Sequence, residues 1–357
     1  MKKLLKGIAV LLAAAILAVG GYAAYLLLDY SRIADYQELI CVERNSDALR
    51  AGEELSIVSW NLGFGAYNAD FSFFMDGGIH SRAYSRETCE ENIRSAIQTL
   101  HAQNADLMLL QEVDVQGTRS HGVNQVAMLE EAFADSHSSA YAQNYDSSYL
   151  LYPFHEPIGA NRGGILTLAQ AQISGAVRRS LPIEAGLRKF FDLDRCYSVS
   201  SIPVDNSRQL MLYNLHLSAY TADGSIATEQ LRLLLADMQA AYSEGNYVIA
   251  GGDFNKDLLG DSSQYTGISG EEYTWAQPFP EELLGGNFSL VNSCNAESPV
   301  LSCRDTGVPY EKGSSYEVTL DGFIISDNIS LLNCGVLDEG FSVSDHNPVR
   351  MEFVLEA

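Results

Sequence analysis

VIAGGDFNKD, Val248 to Asp257, carries the reading of the whole chain. Its apolar start has the length and composition of a buried β-strand. Side chains two apart on an extended chain share a face, so Asp253 and Asn255 are expected side by side where that strand ends. Gly251 and Gly252 come just before them, and glycine in a strand lets another backbone or a ligand come close. A buried strand that ends on a carboxylate and an amide has the layout of a site.

Working outward, ELSIVSWNL (54–62), ADLMLLQEV (105–113), GGILTLAQ (163–170) and CYSVSSIPV (196–204) read as strands. So do QLMLYNLHL (209–217), TLDGFIIS (319–326) and NPVRMEFVL (347–355). Helical spacing appears in 86–103, through Ile93, Ile97 and Leu100, and again in 124–134 and 226–242. Helices follow only some strands, so a strict βαβ alternation fails. An α/β arrangement of two mixed sheets packed face to face, with helices outside, fits better. Residues 258–318 are rich in Gly, Ser and Pro and read as a loop-rich insert.

The N-terminus is of another kind. Lys2, Lys3 and Lys6 precede an uncharged run, Gly7 to Leu28, of 22 residues. At about 1.5 Å per residue it is long enough to cross a hydrocarbon core of about 30 Å. A cleaved signal peptide, with Ala18-Val19-Gly20 as the cleavage site, is the alternative. The expected division is an N-terminal transmembrane anchor (1–28), a stalk (29–52) and one domain (53–357). Both readings place that domain outside the cell, with the lysines left inside.

The net charge is −24, and all 46 acids but only 19 of the 22 bases lie after residue 28. Such a surface repels nucleic acid and anionic membranes in general. A divalent cation would make one pocket locally attractive to phosphate. Composition, 46% hydrophobic and 19% charged, is that of a folded globule. The six cysteines form no zinc pattern. In an exported domain Cys294 and Cys303 are the nearest pair for a disulfide, and buried free thiols are the alternative.

Several strands end on a polar residue: Asn61, Glu112, Asn214 with His216, Asp253 with Asn255, Asp321, and Asp345 with His346. Singly, each has a plain reading as a turn residue or a satisfied core histidine. Together they are a set of carboxylates that burial would penalise unless a cation or histidine balanced them. In order, WN, QE, NLHL, GDFN, LDGF and SDHNP resemble the motifs of the endonuclease/exonuclease/phosphatase superfamily over residues 54–356. That group includes pancreatic-type deoxyribonuclease, abasic-site endonucleases, inositol polyphosphate 5-phosphatases and neutral sphingomyelinases.

The resemblance implies a four-layer α/β sandwich and metal-assisted hydrolysis of a phosphoester. It implies a metal site for Mg²⁺ or Mn²⁺ at Glu112, Asn61 and Asp345. Asp253 matches the residue that orients or deprotonates water, and Asn255 one that supports it or the phosphate. His346 with its partner Asp321 is either a base or a cation on the phosphate. His216 is expected to donate to a non-bridging oxygen, with Asn214 supporting it and Arg162 contacting substrate.

Three functions compete: a membrane-tethered phosphodiesterase or phosphatase acting on a lipid headgroup or small organophosphate, an extracellular nuclease, and an inactive binding module. Partners expected are a phosphoester and the membrane, with nucleic acid disfavoured by charge and the chain a monomer. The one basic stretch that a nuclease could use is 177–195, with five bases against three acids.

Overall fold

The computed structural model describes the chain except for residues 185–187, 191–192, 220–224, 271–272, 274 and 293–298. A long helix α1 (Lys2–Asp29) leads to β1 (Gln37–Glu38), β2 (Cys41–Val42), β3 (Glu54–Asn61), α2 (Arg86–Gln103) and β4 (Leu107–Gly117). Next come α3 (Gln125–Ala132), β5 (Ser138–Asp146), β6 (Asn161–Ala169), β7 (Gly175–Ser180), β8 (Cys196–Pro203) and β9 (Gln209–His216). Then follow α4 (Ser225–Ser243), β10 (Tyr247–Asp253), β11 (Phe288–Val291), β12 (Cys303–Arg304) and β13 (Glu317–Val318). The chain closes with β14 (Asp321–Ser326), β15 (Ile329–Val336) and β16 (Val349–Leu355).

The long strands make two seven-stranded sheets, β1-β7-β8-β9-β10-β14-β11 and β15-β16-β3-β4-β6-β5-β2. Each holds one parallel pair, β9 with β10 and β3 with β4. A parallel pair needs a crossover, and α4 and α2 supply it. Between the sheets lie Ile57, Leu109, Leu212, Ile249, Phe323 and Met351. Leu231, Leu234 and Met238 of α4 pack on Val248 and Ala250 outside the first sheet. Ile93, Ala96 and Leu100 of α2 pack on Val58 and Leu110 outside the second. The result is the four-layer sandwich, helix on sheet on sheet on helix.

This explains why β10 is apolar without alternation: it is buried on both faces. It also explains its glycines. A Cβ on Gly251 would stand 2.5 Å from a Phe323 ring carbon and 2.9 Å from Leu109 on the opposing sheet. Gly252 has φ +144, and a Cβ there would fall 2.0 Å from the Leu215 carbonyl oxygen. Gly251 thus lets the opposing sheet come close two residues before Asp253.

Residues 29–52 do not form the expected stalk. β1 pairs with β7, β2 pairs with β5, and Leu49 bridges to Val204 and is buried. The sequence here lacks long apolar runs because its strands are two residues each. α1 itself has no buried residue and is long and apolar enough to cross a membrane. Cys303 carries a free thiol, and Cys294 lies outside the described residues.

Candidate active site

The site forms where the C-terminal ends of both parallel pairs meet. In the first sheet, register does the placing. Asp253 lies opposite His216 on one neighbour and opposite Asp321 on the other. Residues directly paired across strands point to the same face. His216 Nε2 is 3.5 Å from Asp253 Oδ2. Asp321 Oδ2 is 2.7 Å from His346 Nδ1 and also accepts the Ser302 hydroxyl at 2.7 Å.

In the second sheet, irregular backbone does the placing. A bulge between Leu110 and Val113 breaks the β4–β6 register, and Glu112 within it has φ +52. Asn61, the last residue of β3, donates to Asp253 Oδ2 at 3.1 Å and to Glu112 Oε1 at 3.4 Å. His346 precedes β16. Its carbonyl accepts the Trp60 indole N–H at 2.7 Å, and the neighbouring Ser344 hydroxyl donates to the Asn61 carbonyl at 2.6 Å. His346 Nε2 comes within 3.8 Å of Asp253 Oδ2. A continuous path therefore runs Glu112–Asn61–Asp253–His346–Asp321, and segments far apart in sequence share one cluster.

Burial sets the protonation states. It pushes the Asp253 carboxyl up to about 7, against the pull of the His346 charge. His346 is held well above its ordinary value: burial opposes its charge, but Asp321, the Cys303 thiol and Asp253 outweigh it. The imidazolium in turn favours the ionised form of Asp253. His216 goes the other way: burial, then the charges of Arg195 and His346, hold it neutral. Burial raises Asp345 to about 6, and the Glu112 charge adds to that shift.

The sequence profile of the Endonuclease/Exonuclease/phosphatase family matches residues 58–346. The chain belongs to this family. No curated protein matches it by sequence. Among solved structures it is similar to an endonuclease/exonuclease/phosphatase from Beutenbergia cavernae (17% identity, 85% of this chain and 72% of that one, TM-score 0.55). It is also similar to ANGEL2, described as a 2',3'-cyclic phosphatase (15%, 90% and 99%, TM-score 0.56). A third is a family protein from Leptotrichia buccalis (15%, 84% and 99%, TM-score 0.53). At these identities the likeness is one of fold.

Members of a phosphoesterase family with this many site carboxylates imply a divalent cation. The residues fit one. Asp345 is half-buried, lies 3.4 Å from the Ser344 hydroxyl, and feels Glu112 as a like charge. The carboxylate oxygens of Glu112 and Asp345 are hard donors, while the Asn61 amide oxygen accepts the Gly63 N–H at 3.0 Å. Asp253, Asp321 and His346 form a second grouping, with ligand atoms within 4.8 Å of one another. There the imidazolium already supplies positive charge.

Three expected residues sit otherwise than expected. Asn255 is not on an extended strand beside Asp253. It has φ +47, its backbone N–H holds Asp253 Oδ1 at 2.9 Å, and its side chain donates to the Leu217 carbonyl at 2.7 Å. The chain turns at Phe254, so two-residue periodicity no longer applies. Asn214 is fully buried between the sheets, accepting from Gln111 at 2.8 Å and donating to the Leu166 carbonyl at 3.1 Å. It is a strut beneath the site. Arg162 is exposed and paired with Asp146 at 3.2 Å, outside the cluster.

One functional residue escaped the sequence reading. Arg119 is buried, grips Asp114 through two bonds of 3.1 and 2.7 Å, and lies 3.6 Å from Glu112 Oε2. Its guanidinium stacks over the Phe64 ring at 4.1 Å. The available signal was Asp114, a second carboxylate in an apolar strand that needs a buried cation as partner.

Proposed function

We propose that the chain is a divalent-cation-dependent phosphoester hydrolase, held to the outer face of a membrane, acting on a lipid headgroup or small organophosphate. The observation that carries this is the unbroken path from Glu112 through Asn61 and Asp253 to His346 and Asp321. When bound, Mg²⁺ at Glu112, Asp345 and Asn61 would supply Lewis acidity toward a phosphate oxygen and the leaving group.

The protein groups divide the remaining work. Asp253 takes the proton of the attacking water, held in place by the Asn61 amide and the Asn255 backbone N–H. His346, kept charged by Asp321, offers its Nε2–H to a non-bridging phosphate oxygen. His216, neutral and packed beside Asp253, offers a further donor. Lys2, Lys3 and Lys6 on the inner side of α1 favour an outward-facing domain.

The basic stretch 177–195 gives a nuclease little support. Arg178 is fully buried and donates to the Gln143 and Asp194 carbonyls, Arg195 donates to the Leu217 carbonyl, and Arg179 pairs with Asp237. None of these forms an exposed stripe for a phosphate backbone.

The test is a substrate panel for the full chain in detergent with Mg²⁺: a chromogenic phosphodiester, phosphoinositides, sphingomyelin and plasmid DNA. Turnover of a lipid or small phosphoester, abolished by chelator and by Asp253→Ala, is expected. Nicking of DNA alone would overturn the substrate assignment. Silence on every substrate would overturn the enzymatic reading.

A further inference from the structure

The residues after α1 leave no slack between helix and domain. Arg32 Nε lies 2.6 Å from Asp194, and the Arg178 guanidinium donates to the Ala34 carbonyl at 3.1 Å. Within α1, the Tyr22 hydroxyl donates to the Tyr149 carbonyl and accepts from the Leu151 N–H, both at 3.1 Å. The Tyr25 hydroxyl accepts from the Tyr149 N–H at 2.9 Å. Leu26 packs on the aromatic cluster around Phe64 and Phe73. The last turns of α1 and the loop after β5 are therefore one unit, and the domain sits at the end of its own helix.

That loop is unusually apolar for an exposed one. Phe154 is 82% exposed and Tyr152 56%. The Tyr152 ring lies 5.7 Å from Phe74 and 6.0 Å from Phe154. The neighbouring turn presents Met75 and Ile79, and His155 Nε2 meets the Ile79 carbonyl at 2.9 Å. Single exposed apolar residues are ordinary, but a contiguous group marks a contact surface. Its neighbour identifies the contact. Tyr22 and Tyr25 lie in the last two turns of α1, just before Leu26-Leu27-Leu28 and Asp29, and tyrosines are enriched at the edge of a bilayer.

We infer that Met75, Ile79, Leu151, Tyr152 and Phe154 form a bilayer-docking surface, seated in the leaflet through which α1 leaves the membrane. This rests on reading α1 as a membrane span. The docking would turn one further feature toward the lipid. A polar basin of about 770 Å³ lies between α1 and the domain, walled by Tyr25, Asp29, Arg82, His121 and Arg162. Its floor includes Gln116 and Gly117 at the end of β4, the strand that carries Glu112. Arg82 and Arg162 give its wall two cationic groups for a phosphate at headgroup depth. Arg162 thereby gains a use that its distance from the cluster denied it.

The test uses the full chain in phosphatidylcholine vesicles that contain brominated acyl chains, with wild-type fluorescence subtracted. Phe154→Trp is expected to emit at shorter wavelength than in detergent-free buffer and to be quenched by bromine. Leu17→Trp, inside α1, should be quenched more strongly. Leu332→Trp, on the opposite edge of its sheet, should not be quenched. Phe154→Trp quenched no more than Leu332→Trp overturns the inference, and an unquenched Leu17→Trp removes the span on which it rests.

A second readout separates docking from chemistry. The double variant Leu151→Ser/Phe154→Ser should keep its rate on a soluble chromogenic diester and lose about tenfold on a phosphoester presented in the vesicles. An equal effect on both substrates overturns the docking. Wild-type silence on both sinks the hydrolase reading, while the quenching still decides the docking.

Discussion

The two sheets feed the same cleft by different means. The first supplies His216, Asp253 and Asp321 from three adjacent strands in direct register. The second supplies Glu112 from a bulge at φ +52, and Asn61 from a strand end. Register here is pinned by the glycines, because shifting β10 by one residue would put a side chain where Gly251 admits Phe323 and Leu109 or where Gly252 meets the Leu215 carbonyl. A bulge is adjustable but must be held, and Arg119, clamped on Asp114 and facing Glu112, is what holds it. Under the proposed function, the proton-transfer groups rest on the sheet set by register, and the cation's oxygen donors on the sheet set by a bulge.

Breaking the register side should cost the most. Asp253→Asn keeps the shape but removes the base, and a loss of about 10²–10⁴-fold in kcat is expected, the range for general acid–base groups. Asp321→Asn should cost less, because it weakens the His346 charge without removing the imidazole. Equal losses would mean that Asp321 acts on substrate directly. Both are read as single-turnover rates, with circular dichroism to confirm the fold.

Breaking the bulge side should change a different quantity. Arg119→Met is expected to raise the Mg²⁺ concentration for half-maximal activity by about 10- to 100-fold, the usual effect of losing an outer partner of a metal ligand. kcat at saturating metal should fall less than the metal affinity does, and Arg119→Lys should recover part of the loss. If Arg119→Met lowered kcat alone, the division of labour between the sheets would fail.

The floor under both sides sharpens the comparison through stability. Gly252→Ala places a Cβ 2.0 Å from the Leu215 carbonyl at φ +144, so the parallel pair β9–β10 must shift. A loss of about 1–3 kcal/mol is expected, as for other overpacked interiors. For a chain of this size that is a fall of several degrees, at roughly 2–4 °C per kcal/mol. An unchanged melting temperature would show that β10 has slack there, and the register argument would weaken.

What was legible in the sequence follows the same line. β3, β10, β16 and α2 were read at nearly their observed bounds, because their apolar runs and helical spacing are long. β5 was not read: SSAYAQNYD carries too few aliphatic residues, though most of it is buried. β15 was missed because it is an edge strand with several exposed positions. In the site, His216, Asp253 and Asp321 were legible because each closes or opens an apolar strand. Asn255 was misplaced because a left-handed residue ends the strand's period, and Arg119 was invisible because only the fold brings it to Asp114.

The smallest effect is a pH dependence of stability, and it separates the cation side from the rest. Burial raises the Asp345 carboxyl to about 6, from 3.8 in an unfolded chain. Between those values the folded protein holds the proton and the unfolded chain has released it. Stability therefore falls as pH rises from about 4 to 6, and the cost is constant above that. Two units correspond to at most about 3 kcal/mol, of which hydrogen-bond changes will hide a part. In chelator, Asp345→Asn should thus unfold at higher urea than wild type at pH 8, with the gap closing near pH 4. Saturating Mg²⁺ should reverse the order at pH 8, because a cation that binds only the folded wild type stabilises only it. A gap that ignores both pH and cation would place Asp345 outside the metal set and leave Glu112 and Asn61 to hold the ion alone.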